Sequence, residues 1–156
     1  MIVHLPSSYH VHKTKDGDEV ELVDKHKGGH WLLKSLSEKN TLSLIDPAER
    51  LYAHSKQHGF DYEVNLSNGR VNIDRDSYFN SLSYLFALPS GVNCSVKSSD
   101  FYNLRVVDLE TDKTLATYSK HKHGLSLHKY STLKINPDLS DHDKLLLIMV
   151  CLQMNR

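Results

Sequence analysis

Eleven histidines among 156 residues are the first place to look for chemistry. Two pairs, His10/His12 and His121/His123, have i, i+2 spacing. On a strand that spacing puts both imidazoles on one face, as two ligands of one zinc ion require. A closed site needs two more ligands, and no diagnostic spacing selects among His26, His30, His54, His58 and His128. There is no CxxC or HExxH run, so no metal and no cofactor are predicted. The lysines form a second pattern. Between residues 113 and 134 stand Lys113, Lys120, Lys122, Lys129 and Lys134, with His121, His123 and His128 among them and no carboxylate. These eight residues are the predicted ligand-binding set, suited to phosphate groups. A lysine near an anionic bilayer contributes about 1 kcal/mol. The histidines titrate near pH 6.5, so the run should become more basic on acidification. A lysine-guarded strand edge would read the same way.

Catalytic patterns are missing. Cys94 has no base near it in the sequence, and there is no GxSxG elbow, glycine-rich phosphate loop or paired-carboxylate motif. The expectation is a binding module and not an enzyme. A histidine-based metal-dependent enzyme and a purely structural interaction protein are the alternatives. Nineteen Lys and Arg balance nineteen Asp and Glu, so no nucleic-acid partner is expected. The acidic stretch Asp16, Asp18, Glu19, Glu21 and Asp24 lacks the ligand spacing of an EF-hand and reads as a solubilising loop or a partner for the basic run.

The elements that must position these residues are mostly strands. Turn signals recur every ten or so residues: Asp16-Gly17, Gly28-Gly29, Asp46-Pro47, Asn68-Gly69, Ser90-Gly91, Thr111-Asp112 and Asn136-Pro137. Hairpins are predicted for 62–66 with 71–73, 41–45 with 50–54, and 101–108 with 114–120. Asn68-Gly69 suggests a type I′ turn, since both of its central residues need positive φ. Further strands are expected at 19–23, 31–36, 92–97 and 129–135. Residues 78–88 fit either a strand or a short helix, with strand preferred.

After Asn136-Pro137 the character changes. Ser140 stands at an N-cap position, Asp141 and Asp143 occupy the first turn, and Leu145 to Leu152 is apolar on every side. Eight helical residues cover about 12 Å, too little for a hydrocarbon core of about 30 Å. A helix that is apolar all round must be enclosed. The only available enclosure is the sheet itself. The predicted fold is therefore mainly β: a closed antiparallel β-barrel of about twelve strands around a buried C-terminal hydrophobic helix, one domain over residues 1–156. A dimer helix or a membrane peg is the competing reading. No targeting segment is read at the N-terminus, and two cysteines are too few for a secreted disulfide framework. The expected compartment is the cytoplasm, with the membrane periphery and the nucleus open.

The segments 101–108 (Phe-Tyr-Asn-Leu-Arg-Val-Val-Asp), 114–120, 130–137 (Tyr-Ser-Thr-Leu-Lys-Ile-Asn-Pro) and 143–152 carry a resemblance to the tubby-like C-terminal domain. That superfamily includes the tubby proteins, the LURP-one-related proteins and the phospholipid scramblases. The likeness covers residues 100–156, is looser over 41–99 and carries no motif before that. It implies a twelve-strand barrel around a central helix, with an anionic phospholipid or phosphoinositide as partner; a protein partner is the other expectation. The scramblase branch carries a cysteine-rich palmitoylated segment, which a chain with two cysteines does not match. No lipid-binding residue of the family aligns one for one here, so the basic set rests on local charge alone.

Overall fold

The computed structural model describes residues 4–14, 18–75, 84–98, 103–120 and 131–154. In chain order the strands are β1 (Ser8–Lys13), β2 (Glu19–Asp24), β3 (Leu33–Glu38), β4 (Thr41–Ile45), β5 (Leu51–His58) and β6 (Asp61–Leu66). They are followed by β7 (Gly69–Arg75), β8 (Tyr84–Ala87), β9 (Asn93–Ser98), β10 (Asn103–Asp108), β11 (Thr114–Lys120) and β12 (Ser131–Ile135). The helix α1 then spans Asp141–Met154. Each strand pairs antiparallel with its sequence neighbours, and β1 pairs with β12, which closes the ring. Closure leaves no sheet edge to recruit another chain.

Alternation sets the two faces. Val20, Leu22 and Asp24 of β2 are buried, as are Leu42 and Leu44 of β4, while the residues between them stay partly exposed. The apolar sets of all the strands point inward and join one core. That core is filled by α1, in which every residue from Asp143 to Gln153 is buried. Leu145, Leu146, Leu147, Ile148 and Met149 have no exposed surface at all. Successive helical residues are about 100° apart, so five in a row sweep the whole circumference. The helix is enclosed, and the reading as a surface or dimer helix is set aside. Among the described residues no helix is long and apolar enough to cross a membrane.

Polar contacts fasten the helix at both ends. The Ser140 hydroxyl caps it by accepting the Asp143 amide at 3.2 Å. The Asp143 carboxylate in turn accepts the amide and the hydroxyl of Ser90, in the β8–β9 turn. Leu5 is gripped twice: its N–H donates to Asp141 (3.0 Å), and its carbonyl accepts the Lys144 ammonium (3.2 Å). At the far end the Ser55 hydroxyl donates to Gln153 Oε1 at 2.6 Å, both groups being buried.

Several local expectations shift. β3 begins at Leu33, two residues later than predicted, and Trp31 lies before it with the Lys34 ammonium 4.6 Å above its ring. β5 extends to His58, well past the predicted end at residue 54, because Gln57 and His58 keep pairing with Tyr62 and Asp61. The β6–β7 turn is not type I′. Leu66 pairs with Gly69, so Ser67 and Asn68 are the turn residues and neither has positive φ. Glycine is used instead as the first residue of β7, at φ +146°. Within 78–88, residues 84–87 form a strand, while 78–83 lie outside the described residues.

Candidate functional site

The predicted basic set divides. His121, Lys122, His123, His128 and Lys129 lie outside the described residues. Lys113 is exposed in the turn before β11, and Lys120 is the last residue of that strand. Seven residues of extended chain separate them by about 24 Å, so these two stand at opposite rims of the barrel. Lys134 is exposed on the outer face of β12. Its register partner on β11 is Thr117, three pairs along from the pair Lys120/Ser131. Among the described residues the hairpin therefore does not gather its lysines at one point.

Register gathers a different set. Lys134 pairs with Thr117, Thr117 with Arg105, and Arg105 with Lys97. Lys97, Arg105 and Lys134 are exposed, and Thr117 is half-buried. They form one outward row across β9, β10, β11 and β12. Neighbouring strands lie about 4.8 Å apart, so the row is about 14 Å long. Twelve strands share the circumference at about 30° each, so these four span about 90° and present a single side. On the far side of Lys134 the row continues through Ser8 to Lys25, whose amide donates to the Ser8 carbonyl at 3.1 Å.

The electrostatics of the row are unusual in two ways. Arg105 and Lys97 stand directly opposite each other, a like-charge pairing that disfavours the sheet. Among the described residues none of Lys97, Arg105 and Lys134 has an ion-pair partner. Strands β9 to β12 carry four cations against the single carboxylate of Asp108. Strands β2 to β7 carry seven carboxylates against four cations. Three of those four cations are engaged: Lys34 lies 3.4 Å from Glu19 and 3.9 Å from Glu21, Arg70 pairs with Glu63, and Arg75 lies 4.7 Å over Phe60. Glu19 and Glu21 of the acidic stretch are thus matched by Lys34 next door.

No family model, no curated protein and no solved structure matches the chain.

Other chemistry is correspondingly placed. The rings of His10 and His12 are 6.4 Å apart, but no group of three or more His, Cys, Asp or Glu residues suited to a metal gathers among the described residues. Both cysteines are buried and neither is joined in a disulfide. Burial pushes the Cys151 thiol up to about 12. Burial does the same to Cys94, with help from the Asp108 and Asp143 carboxylates, again to about 12. Both thiols stay protonated at neutral pH and behave as small apolar groups. Tyr84 and Phe86 are buried in the wall, while Tyr78 and Phe79 lie outside the described residues. The residues that sequence reasoning missed are Lys97 and Arg105. Alternation marks Arg105 as outward, but only the register aligns it with Lys97 and Lys134.

Proposed function

We propose that the protein is a non-enzymatic, tubby-like binding module whose β9–β12 face meets an anionic phospholipid surface. The observation that supports this reading is the row Lys97–Arg105–Thr117–Lys134, whose three cations have no ion-pair partner among the described residues. Like charges held side by side without counter-ions lower the stability of the sheet, and an array of lipid phosphates would relieve that repulsion. The Thr117 hydroxyl adds a neutral donor at the centre of the row. The 90° span suits a flat surface, which a wider arc would not touch at once. The resemblance of residues 100–156 to the tubby-like domain agrees in fold and in ligand class. Buried thiols that form no disulfide suit a reducing compartment, so the proposed place of action is the cytoplasmic side of a membrane.

Flotation with phosphatidylserine and phosphoinositide vesicles tests the proposal. Neutralising Lys97 and Arg105 to glutamine should remove about 2 kcal/mol, roughly a 30-fold loss in affinity. Binding by the wild-type chain should also weaken as salt shortens the screening length below about 8 Å. Full binding by a folded K97Q/R105Q/K134Q variant would refute the assignment of this face. A protein partner becomes the better reading if vesicles fail but an acidic protein is retained by the same three cations.

A further inference from the structure

The geometry points to a second site, for a linear organic dication, on residues separate from the basic row and independent of the lipid reading. Between β7, β8 and β9 the outer surface sinks into a recess of about 480 Å³, within the range of small-ligand sites. Its origin is structural. β8 is four residues long and offers only the small Ala87 beside Leu85 on its outward face. The β10–β11 turn overhangs this low point, pinned by the Leu109 amide donating to the Asn93 carbonyl at 2.9 Å. Leu109 is half exposed and forms an apolar wall.

The charged side chains lining the recess are Asp74 on one side and Glu110 on the other. Both are exposed, and neither enters an ion pair among the described residues. β7 and the β9-anchored turn are two strand spacings apart, about 10 Å. Leu85, Ala87 and Leu109 lie between the carboxylates, while the Asn72 and Asn93 amides can accept further N–H donors. Two negative ends over an apolar floor complement two cationic ends on an apolar stem. Ammonium groups joined by methylenes have that form, whether in a free polyamine or in two lysine side chains of an extended peptide. A phosphate or carboxylate ligand would meet like charge here.

The test is an amide NMR titration of the full chain with spermidine and, separately, with acetyl-Lys-Gly-Lys-amide. Saturable shifts should appear at residues 72–74, 85–87, 93–94 and 109–110. Two solvent-exposed ion pairs together contribute about tenfold in affinity, so D74N/E110Q should lose about that factor for the dication. Butylamine, with the same stem and one charge, should bind more weakly than spermidine. The exposed-acid control E38Q/D138N should bind as wild type. Stronger binding of spermidine assigns the site to free polyamines, and stronger binding of the peptide assigns it to a basic chain segment. The inference is overturned if neither ligand saturates, if shifts spread evenly over the acidic strands, or if folded D74N/E110Q binds as the wild type does.

Discussion

Alanine placed one at a time at Leu145, Leu146, Leu147, Ile148 and Met149 reads the enclosure of α1 directly. All five side chains are fully buried, and together they go once round the helix. Truncating a buried Leu, Ile or Met to Ala costs about 2–5 kcal/mol, the lost transfer energy plus the cavity left behind. Against a typical stability of about 5–15 kcal/mol, each variant should still fold, but more weakly. With a urea slope of about 1.5 kcal/mol/M, each midpoint should fall by about 1–3 M. Equilibrium unfolding followed by far-ultraviolet circular dichroism measures the five shifts under one set of conditions. The signature of enclosure is the absence of periodicity. A helix lying on a surface would show a stripe, with costs recurring at every third or fourth residue and near-neutral positions between. One position costing less than about 1 kcal/mol, beside neighbours that cost the full amount, would refute the reasoning. Leu147→Asp should then go further and abolish cooperative unfolding, since an unpaired charge at that depth has no partner. The fragment 1–139, which lacks the helix, should not fold, and a soluble cooperative fragment would count equally against the enclosure.

Three more outcomes follow from the ends of the helix and from its surroundings. Ser55→Ala strands the buried Gln153 amide oxygen and should cost about 1–3 kcal/mol, whereas S55A/Q153L should recover most of the loss; a double-mutant cycle by urea unfolding decides, and additive losses would reject the pairing. Asp143→Ala removes the acceptor for two Ser90 donors and a favourable charge in the first helical turn, with an expected cost of about 2–3 kcal/mol; a melting temperature equal to that of wild type would show the turn is not held this way. Alkaline pH should unfold the protein. Burial raises the Tyr9, Tyr118, Cys94 and Cys151 pKa values. The folded state keeps protons that the unfolded chain releases, so this stability is complete below the ordinary pKa values and is lost as pH rises through the folded ones, at about 1.4 kcal/mol per pH unit per group. A urea midpoint that stays level from pH 9 to 11 would contradict it.

Much of the barrel was legible because its signals are local. Turn pairs such as Asp46-Pro47 and Ser90-Gly91 mark strand ends, and Asp46 confirms the reason: its carboxylate accepts the amides of Ala48 and Arg50 in the turn. The all-round apolar helix was decisive for architecture, since only a closed sheet can surround it. Strand ends were read less well where pairing, not turn chemistry, sets the boundary. β5 runs on through Lys56, Gln57 and His58 because β6 offers a partner for each. The Asn68-Gly69 turn misled for a similar reason. Dipeptide preference suggests positive φ at both residues, but the Leu66/Gly69 pairing moves the turn one residue back. β1 carries its own alternation in Tyr9 and Val11, yet His10 and His12, which alternate with them, suggest metal ligation before strand formation.

The site was less legible than the fold because charge convergence depends on register. A run of lysines along a hairpin looks like a cluster in the sequence, but a strand spreads it along its length, as Lys113 and Lys120 demonstrate at opposite ends of β11. Lys97, Arg105 and Lys134 come from three separate strands, yet the register sets them in one row with Thr117 between Arg105 and Lys134. The balanced total conceals the same effect on a larger scale. Cations dominate β9 to β12 and carboxylates dominate β2 to β7, so the neutral molecule has a charge moment across the barrel. Near a negatively charged surface that moment has one favoured orientation, with the basic row inward and the acidic strands outward. The recess at Asp74 and Glu110 lies at the border between the two halves, reached from the β7 side. A cationic ligand there and an anionic surface at the row make opposite electrostatic demands on neighbouring strands. Segregation of charge by strand would let one small barrel meet both.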